Sequence, residues 1–293
     1  MPKKSRIDIA SSGRLMGVHC SISGGLYNAP IEGGAIGCNA IQLFTGSNQQ
    51  WKSKAISEED AERFRCEIKL CGIKVAFSHT TYLINLAAPD SEILKKSIDA
   101  MTKELLRCEL LGIPFAVLHP GSRKDKPVDW GIKRIADSIN KIVDATADCK
   151  VKIALETTAG SGSSIGGRFE ELAEIREKVE AKDRIGFCLD TCHVFTAGYE
   201  LRTPDGYKKT WADFRNIIGM KDLLALHVND SKFGIGTHKD RHENIGDGEI
   251  GLSGFKNLMN DAALKKIPLV LETPKGEAPP SDDLKNLSKL LAL

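Results

Sequence analysis

What the chain lacks narrows its class. None of its apolar runs approaches the ~18 residues that would span a bilayer. The basic start Met1-Pro2-Lys3-Lys4-Ser5-Arg6 is followed by no apolar segment of the kind that marks a secretion signal. The eight cysteines, Cys20, Cys38, Cys66, Cys71, Cys108, Cys149, Cys188 and Cys192, include no C-x-x-C pair. That argues against both a disulfide framework and a cysteine-ligated zinc knuckle. Small buried thiols in a reducing compartment are expected instead, in a soluble, cytoplasmic protein. Charge of one sign is not in excess either: 41 Lys and Arg stand against 39 Asp and Glu, a formal +2. Overall charge therefore does not draw nucleic acid or an acidic membrane to this protein, although a local basic surface is still open to it. No G-x-G-x-x-G follows the first strand-like run, and Gly160-Ser161-Gly162-Ser163-Ser164-Ile165-Gly166-Gly167 lacks the spacing G-x-x-x-x-G-K-[ST]. No nucleotide cofactor is expected.

What is present is an alternation. After a polar leader over 1–13, short apolar runs rich in β-branched residues recur at 15–22, 40–45, 74–79, 115–120, 152–157, 185–190, 223–230 and 268–274. Between them the spacing predicts amphipathic helices. Over 130–148, Ile132, Ile135, Ile139, Ile142 and Val143 recur at steps of three and four, and over 91–111 Ile93, Leu94, Ile98, Met101, Leu105 and Leu106 do the same up to Gly112. Ser57-Glu58-Glu59-Asp60 resembles a capping box opening a helix that runs to Gly72, and a last helix follows Pro279-Pro280. A length of 293 residues admits two average domains. Eight strand-helix units with no composition break fit a single (β/α)8 TIM barrel over 14–293 better than an open doubly wound sheet.

The strand-like runs end alike. The third closes on His79, the fourth on His119, the fifth on Glu156 and the sixth on Asp190, while the seventh carries His227 and the eighth Glu272. In a parallel barrel these ends form the C-terminal face, where active sites are built. One strand-end His or Asp is more often a structural residue or a helix cap. A run of them at equivalent positions is another matter, because as bare charges they would repel and desolvate one another. Divalent cations neutralise such a ring, and mixed imidazole and carboxylate ligands suit Zn2+ or Mn2+.

Two loop fragments extend the ring. In Asp190-Thr191-Cys192-His193 the His follows a strand-end Asp, and in Asp240-Arg241-His242 two ligand types alternate, so that both face one way in extended chain. Each is weak alone, but both loops overhang the same mouth, and His193, Asp240 and His242 then suggest a third metal. His238 has no evident partner and is expected at the surface. His19, at the end of the first run, is expected either to touch the site or to pack. Arg123-Lys124-Asp125-Lys126, with Lys239 and Arg241, place positive charge on the metal-bearing face, where phosphate contact is expected. The glycine-rich stretch either brings backbone N–H groups to a phosphate or forms a flexible loop.

Together these residues resemble the endonuclease IV family of abasic-site (AP) endonucleases. The resemblance is carried by Gly17-Val18-His19-Cys20-Ser21-Ile22-Ser23-Gly24-Gly25-Leu26, by GFCLDTCHVFTAGYELRT over 186–203, by HVNDSKFGIGTHKDRHENIGDGEIG over 227–251 and by Leu271-Glu272-Thr273-Pro274. It implies a barrel holding three Zn2+, with Mn2+ an option at one site. Glu156 would bridge two metals, His79 and His119 completing the first and Asp190, His227 and Glu272 the second. His193, Asp240 and His242 would hold the third. The implied partner is double-stranded DNA containing abasic sites or blocked 3′ ends. Family members bend it, flip out the abasic nucleotide and cleave the phosphodiester 5′ to it, leaving a 3′-hydroxyl and a 5′-deoxyribose phosphate; they also trim blocked 3′ ends. Glu156 and Glu272 are the implied catalytic carboxylates, Glu272 assisting deprotonation of the attacking water. DNA-probing side chains are implied at Asn48, Gln49, Gln50 and Tyr82, with Arg241 nearby, although Gln49 stands where family members commonly carry a basic residue. A monomer is implied. The rival reading is a metal-dependent sugar isomerase or epimerase on a similar barrel, for which two metals suffice. His193, Asp240 and His242 discriminate, since a third metal has a task in phosphodiester cleavage and none in carbonyl isomerisation.

Overall fold

Each apolar run contains a strand: β1 (Met16–Cys20), β2 (Ala40–Leu43), β3 (Val75–His79), β4 (Phe115–Leu118), β5 (Lys152–Glu156), β6 (Ile185–Asp190), β7 (Leu223–His227) and β8 (Leu269–Leu271). All neighbours pair in parallel, and β8 pairs with β1 through Val270 beside Gly17, so the sheet closes on itself without a free edge. The structure, a computed structural model, describes residues 6–276 and 281–293. The start of the expected leader and Pro279-Pro280 lie outside the described residues. Most strands stop short of the apolar runs, because residues such as His119 and Glu272 leave the ladder one position beyond the last pair and turn into the loops.

The helices α1 (Asn28–Ile36), α2 (Glu58–Leu70), α3 (Ser91–Leu111), α4 (Val128–Ala145), α5 (Phe169–Lys178), α6 (Thr191–Ala197), α7 (Pro204–Ile217) and α8 (Gly251–Asn260) return the chain between strands, and α9 (Ser281–Leu291) follows β8. α3 shows why its ends fall where they do. The Asp90 carboxylate accepts from Ile93 N at 2.8 Å, and Gly112 takes the left-handed φ of 72° that closes the last turn. α2 departs from the expected box. Ser57 Oγ accepts from Asp60 N at 3.1 Å, but the Asp60 carboxylate accepts from that same hydroxyl at 2.8 Å, and the helix ends at Leu70. α4 starts earlier than its apolar spacing, directly behind Pro127. The end of the leader is attached, with Ile9 fully buried in the outer core between strands and helices.

A second apolar core fills the barrel itself: Ala40, Phe77, Phe115, Val117, Ala154, Cys188, Ala225 and Val270. Phe77 stacks on Phe115 with ring centres 4.8 Å apart. Strand side chains alternate with a period of two, so residues two apart share a face. Two residues beyond Phe77, Val117, Ala154, Cys188, Ala225 and Val270 come His79, His119, Glu156, Asp190, His227 and Glu272. The same alternation that builds an apolar floor therefore points six ionisable side chains into the mouth.

Two short antiparallel pairs lie outside the barrel and were not expected from the pattern, since two-residue strands carry no periodicity. One joins Gly121–Ser122 to Ser164–Ile165, the other Asp230–Ser231 to His242–Glu243. The first accounts for the glycine-rich stretch: Arg123 N donates to Ser163 O at 3.0 Å and Thr158 N to Gly166 O at 2.9 Å. A Cβ on Gly167 would stand 2.7 Å from Gly160 Cα, so the two backbone segments cross at a distance open only to glycine.

Candidate metal centre

Glu156, wholly buried at the end of β5, is the hub. Its Oε2 stands 3.1 Å from His79 Nε2 and 2.9 Å from His119 Nε2, and its Oε1 2.8 Å from His227 Nδ1. His227 Nδ1 in turn faces Glu272 Oε2 at 3.2 Å and Asp190 Oδ2 at 3.9 Å. Outside this group, His193 Nε2 stands 3.2 Å from Asp240 Oδ2, and His242 Nε2 3.6 Å from both Asp240 Oδ1 and Asp190 Oδ2. The structure thus brings together every residue of the ring and both loop fragments. Four sets have donor atoms within 4.8 Å of one another: His79, His119 and Glu156; Glu156, Asp190, His227 and Glu272; Asp190, His193 and His242; and Cys192, Asp240 and His242. Asp190 also serves as a helix cap, its Oδ1 accepting from His193 N at 2.9 Å at the start of α6.

The imidazoles are set up as ligands. His79 Nδ1 donates to Thr80 O at 2.8 Å, His193 Nδ1 to Thr157 O at 2.8 Å and His242 Nδ1 to Glu272 O at 3.1 Å. A carbonyl only accepts, so in each ring the outer nitrogen carries a hydrogen, and Nε2 is the nitrogen turned toward the carboxylates, able to coordinate a cation when it is unprotonated. His227 uses the other face, with Nε2 donating to Gln42 Oε1 at 2.6 Å and Nδ1 left for the carboxylates. Orientation of a ligating His through its second nitrogen is characteristic of metal sites. His242 Nε2 is moreover buried with no hydrogen-bond partner among the described residues. The donor set fits divalent cations, and zinc chemically. Burial acts to raise the pKa of Glu156, but the facing imidazoles of His227 and His119 outweigh it and hold the carboxyl well below the usual range. Glu272 is likewise held low against its burial, chiefly by His227. Both are carboxylates at neutral pH.

Three residues of the site carry no signal in the ionisable pattern. Gln42, fully buried on β2 two positions beyond Ala40, donates from Nε2 to Glu272 Oε1 at 2.5 Å and to His19 Nδ1 at 2.7 Å while accepting from His227. The Glu272 carboxylate decides this amide orientation, because a flipped amide would set oxygen against oxygen. Asn229 Nδ2 donates to Asp190 Oδ2 at 2.7 Å, and its Oδ1 accepts from Glu272 N at 2.7 Å. Thr157 Oγ1 accepts from Asp190 N at 2.9 Å. A period of two along β2 from the apolar Ala40 is the one cue that reaches Gln42.

His19 both touches the site, through Gln42, and packs, its ring centre 4.5 Å from that of Phe44. His238 is exposed, as expected, but not idle: its ring Nδ1 donates to Ala159 O at 2.9 Å and its backbone N to Thr196 O at 2.9 Å. Tyr82 is 65% exposed and packs edge-on against Phe44, 5.7 Å between centres. With Arg241 it lines a cleft of about 290 Å³ that opens onto His79, His119 and Glu272. Asn48, Gln49 and Gln50 lie on the loop after β2, which is tied to the Tyr82 loop by Thr81 Oγ1 donating to Asn48 O at 2.6 Å. Arg123 is turned to local structure, its guanidinium donating to Lys126 O.

Residues 34–291 match the family described as xylose isomerase-like TIM barrel. A probable endonuclease 4 from Geobacter sp. (strain M21) is 43% identical over 279 residues, 95% of this chain and 98% of that protein. A probable endonuclease 4 from Chloroflexus aurantiacus (strain ATCC 29366 / DSM 635 / J-10-fl) is 42% identical over 277 residues, 94% and 97% of the two chains. The crystal structure of endonuclease IV from Thermus thermophilus is similar with a TM-score of 0.84 at 31% identity, covering 95% of this chain and 98% of that one. A D-tagatose 3-epimerase-like protein, with a TM-score of 0.72 at 19% identity over 94% and 97%, shares the fold alone. With the identity to the endonucleases running almost from end to end of a barrel that carries this cluster, the chain belongs to the endonuclease IV family.

Proposed function

We propose that this protein is a zinc-dependent AP endonuclease of DNA repair. It hydrolyses the phosphodiester 5′ to an abasic site in duplex DNA, leaving a 3′-hydroxyl and a 5′-deoxyribose phosphate, and trims blocked 3′ ends. The observation that carries the reading is the third donor group beyond the Glu156-bridged pair, where the buried His242 Nε2 faces Asp240 and Asp190 without a hydrogen bond of its own. His79, His119 and Glu156 would hold the first ion, Glu156, Asp190, His227 and Glu272 the second, and His193, Asp240 and His242 the third. Bound divalent cations supply the positive charge that phosphodiester hydrolysis needs, offsetting charge on the phosphate and making water acidic enough to act as nucleophile near neutral pH.

The chain's own residues do the rest. Gln42 engages Glu272 Oε1 and fixes the carboxylate, whose role is to take the proton of the attacking water. Glu156 stays ionised between three imidazoles and keeps the first two donor groups in one register. Exposed Tyr82 and Arg241 at the cleft meet the DNA, Tyr82 by wedging beside the lesion and Arg241 at a phosphate, with Asn48, Gln49 and Gln50 probing from the neighbouring loop.

The test is a duplex carrying one tetrahydrofuran abasic analogue, incubated with zinc-loaded protein. A single incision 5′ to the analogue is expected, and Glu272→Gln should reduce it by several orders of magnitude with the melting curve unchanged. No incision alongside turnover of a ketose would sink the nuclease reading and favour the epimerase one.

A further inference from the structure

We propose that Asp230 is a positioning residue for the segment that presents Asp240 and His242. The inference rests on the metal reading above for its consequence, though not for its geometry. Asp230 is fully buried three residues past His227 and meets no Lys, Arg or His among the described residues. Backbone N–H groups surround it instead. Oδ1 accepts from Ser231 N at 2.8 Å and Ile250 N at 2.9 Å; Oδ2 accepts from Gly246 N at 2.9 Å, Gly248 N at 3.1 Å and Gly251 N at 3.3 Å. A buried carboxylate is strongly unfavourable unless hydrogen-bonded, so each of these donors is worth more than its counterpart in water.

The geometry tells what is being held. Where the chain leaves β7, Asp230–Ser231 pairs with His242–Glu243, and the Asp230 side chain reaches past that pair to grip the returning segment 246–251 up to the first residue of α8. Glu249 N also donates to Ser231 O at 2.7 Å. Residues 232–242 are thus a loop clamped where it leaves and where it returns, and Asp240 and His242 stand at its returning end. Closing a loop before its ligands meet a metal removes an ordering cost from binding. The segment passes so near the carboxylate that a Cβ on Gly248 would lie 2.4 Å from Ser231 O and 2.6 Å from Asp230 Oδ1. An Asn at 230 would turn an NH2 group toward backbone donors that need an acceptor.

Asp230→Asn and Gly248→Ala loosen the clamp from its two sides, and both are compared with wild type in the full chain by two readouts. In metal-free protein, amide hydrogen exchange over 232–251 is expected to quicken about tenfold or more, the loss of one to two buried hydrogen bonds, while β1–β6 keep their protection. In zinc-loaded protein, plasma mass spectrometry is expected to find one zinc fewer per chain than in wild type. Unchanged exchange over 232–251 overturns the proposal, and so does exchange that quickens across the whole barrel, which would make Asp230 a residue of general stability. Wild-type protein holding fewer than three zinc ions while the variants still open 232–251 would retain the clamp and overturn the three-zinc reading instead.

Discussion

Replacing Gln42 by Leu removes three hydrogen bonds from the centre of the site while keeping a side chain of similar volume. The bond to the Glu272 carboxylate, at 2.5 Å, is of the charge-assisted kind worth ~1.5–3 kcal/mol. The His227 Nε2–H, buried and bonded to Gln42 at 2.6 Å, would be left without an acceptor at a cost of ~1–3 kcal/mol. Loss of such outer partners lowers metal affinity ~10–100-fold, or about 1.4–2.7 kcal/mol. The assay is withdrawal of zinc by a chromophoric chelator at neutral pH. The ion assigned to His227 and Glu272 should leave Gln42→Leu at a chelator concentration one to two orders of magnitude lower than in wild type, and the one assigned to His193 and His242 at about the same concentration. Incision should fall with the first group. Zinc retention and cleavage equal to wild type would mean that the amide does not orient its two ligands, and the tautomer argument for His227 would fail with it.

Tyr82→Ala should weaken binding to a duplex with an abasic analogue by ~1–3 kcal/mol in fluorescence anisotropy, with zinc content unchanged. Equal affinity of the two proteins would return Tyr82 to a purely structural place on the barrel rim. For Asp240, burial acts to raise the carboxyl, but the His193 hydrogen bond prevails and its pKa falls from 3.8 to about 2. A depressed pKa means stability that is present above 3.8 and lost as pH falls toward about 2. In metal-free protein the difference in Tm between wild type and Asp240→Asn should therefore close over that interval, and a constant difference would contradict the contact.

The alternation of β-branched runs with amphipathic segments is local, and it suffices to order the strands and to mark His79, His119, Glu156, Asp190, His227 and Glu272 at equivalent ends. Period-two geometry acts on neighbours in the chain, so it can be read there. For Gln42 the same period gives a face but not a role: in Ala40-Ile41-Gln42-Leu43 a neutral amide carries no mark of a metal site, and its partner Glu272 lies 230 positions away. Only closure of β8 onto β1 brings the two together. The same holds for Asp230, four of whose five donors come from a segment that turns back through glycines, and for His238, exposed yet bonded to the loop after β5. The sequence by itself determined which ionisable side chains reach the mouth, because alternation and strand ends are short-range properties. Tertiary structure alone decided how they are oriented, which nitrogen of each imidazole faces inward and which neutral groups hold them, because those depend on hydrogen bonds between residues that meet only once the barrel has closed.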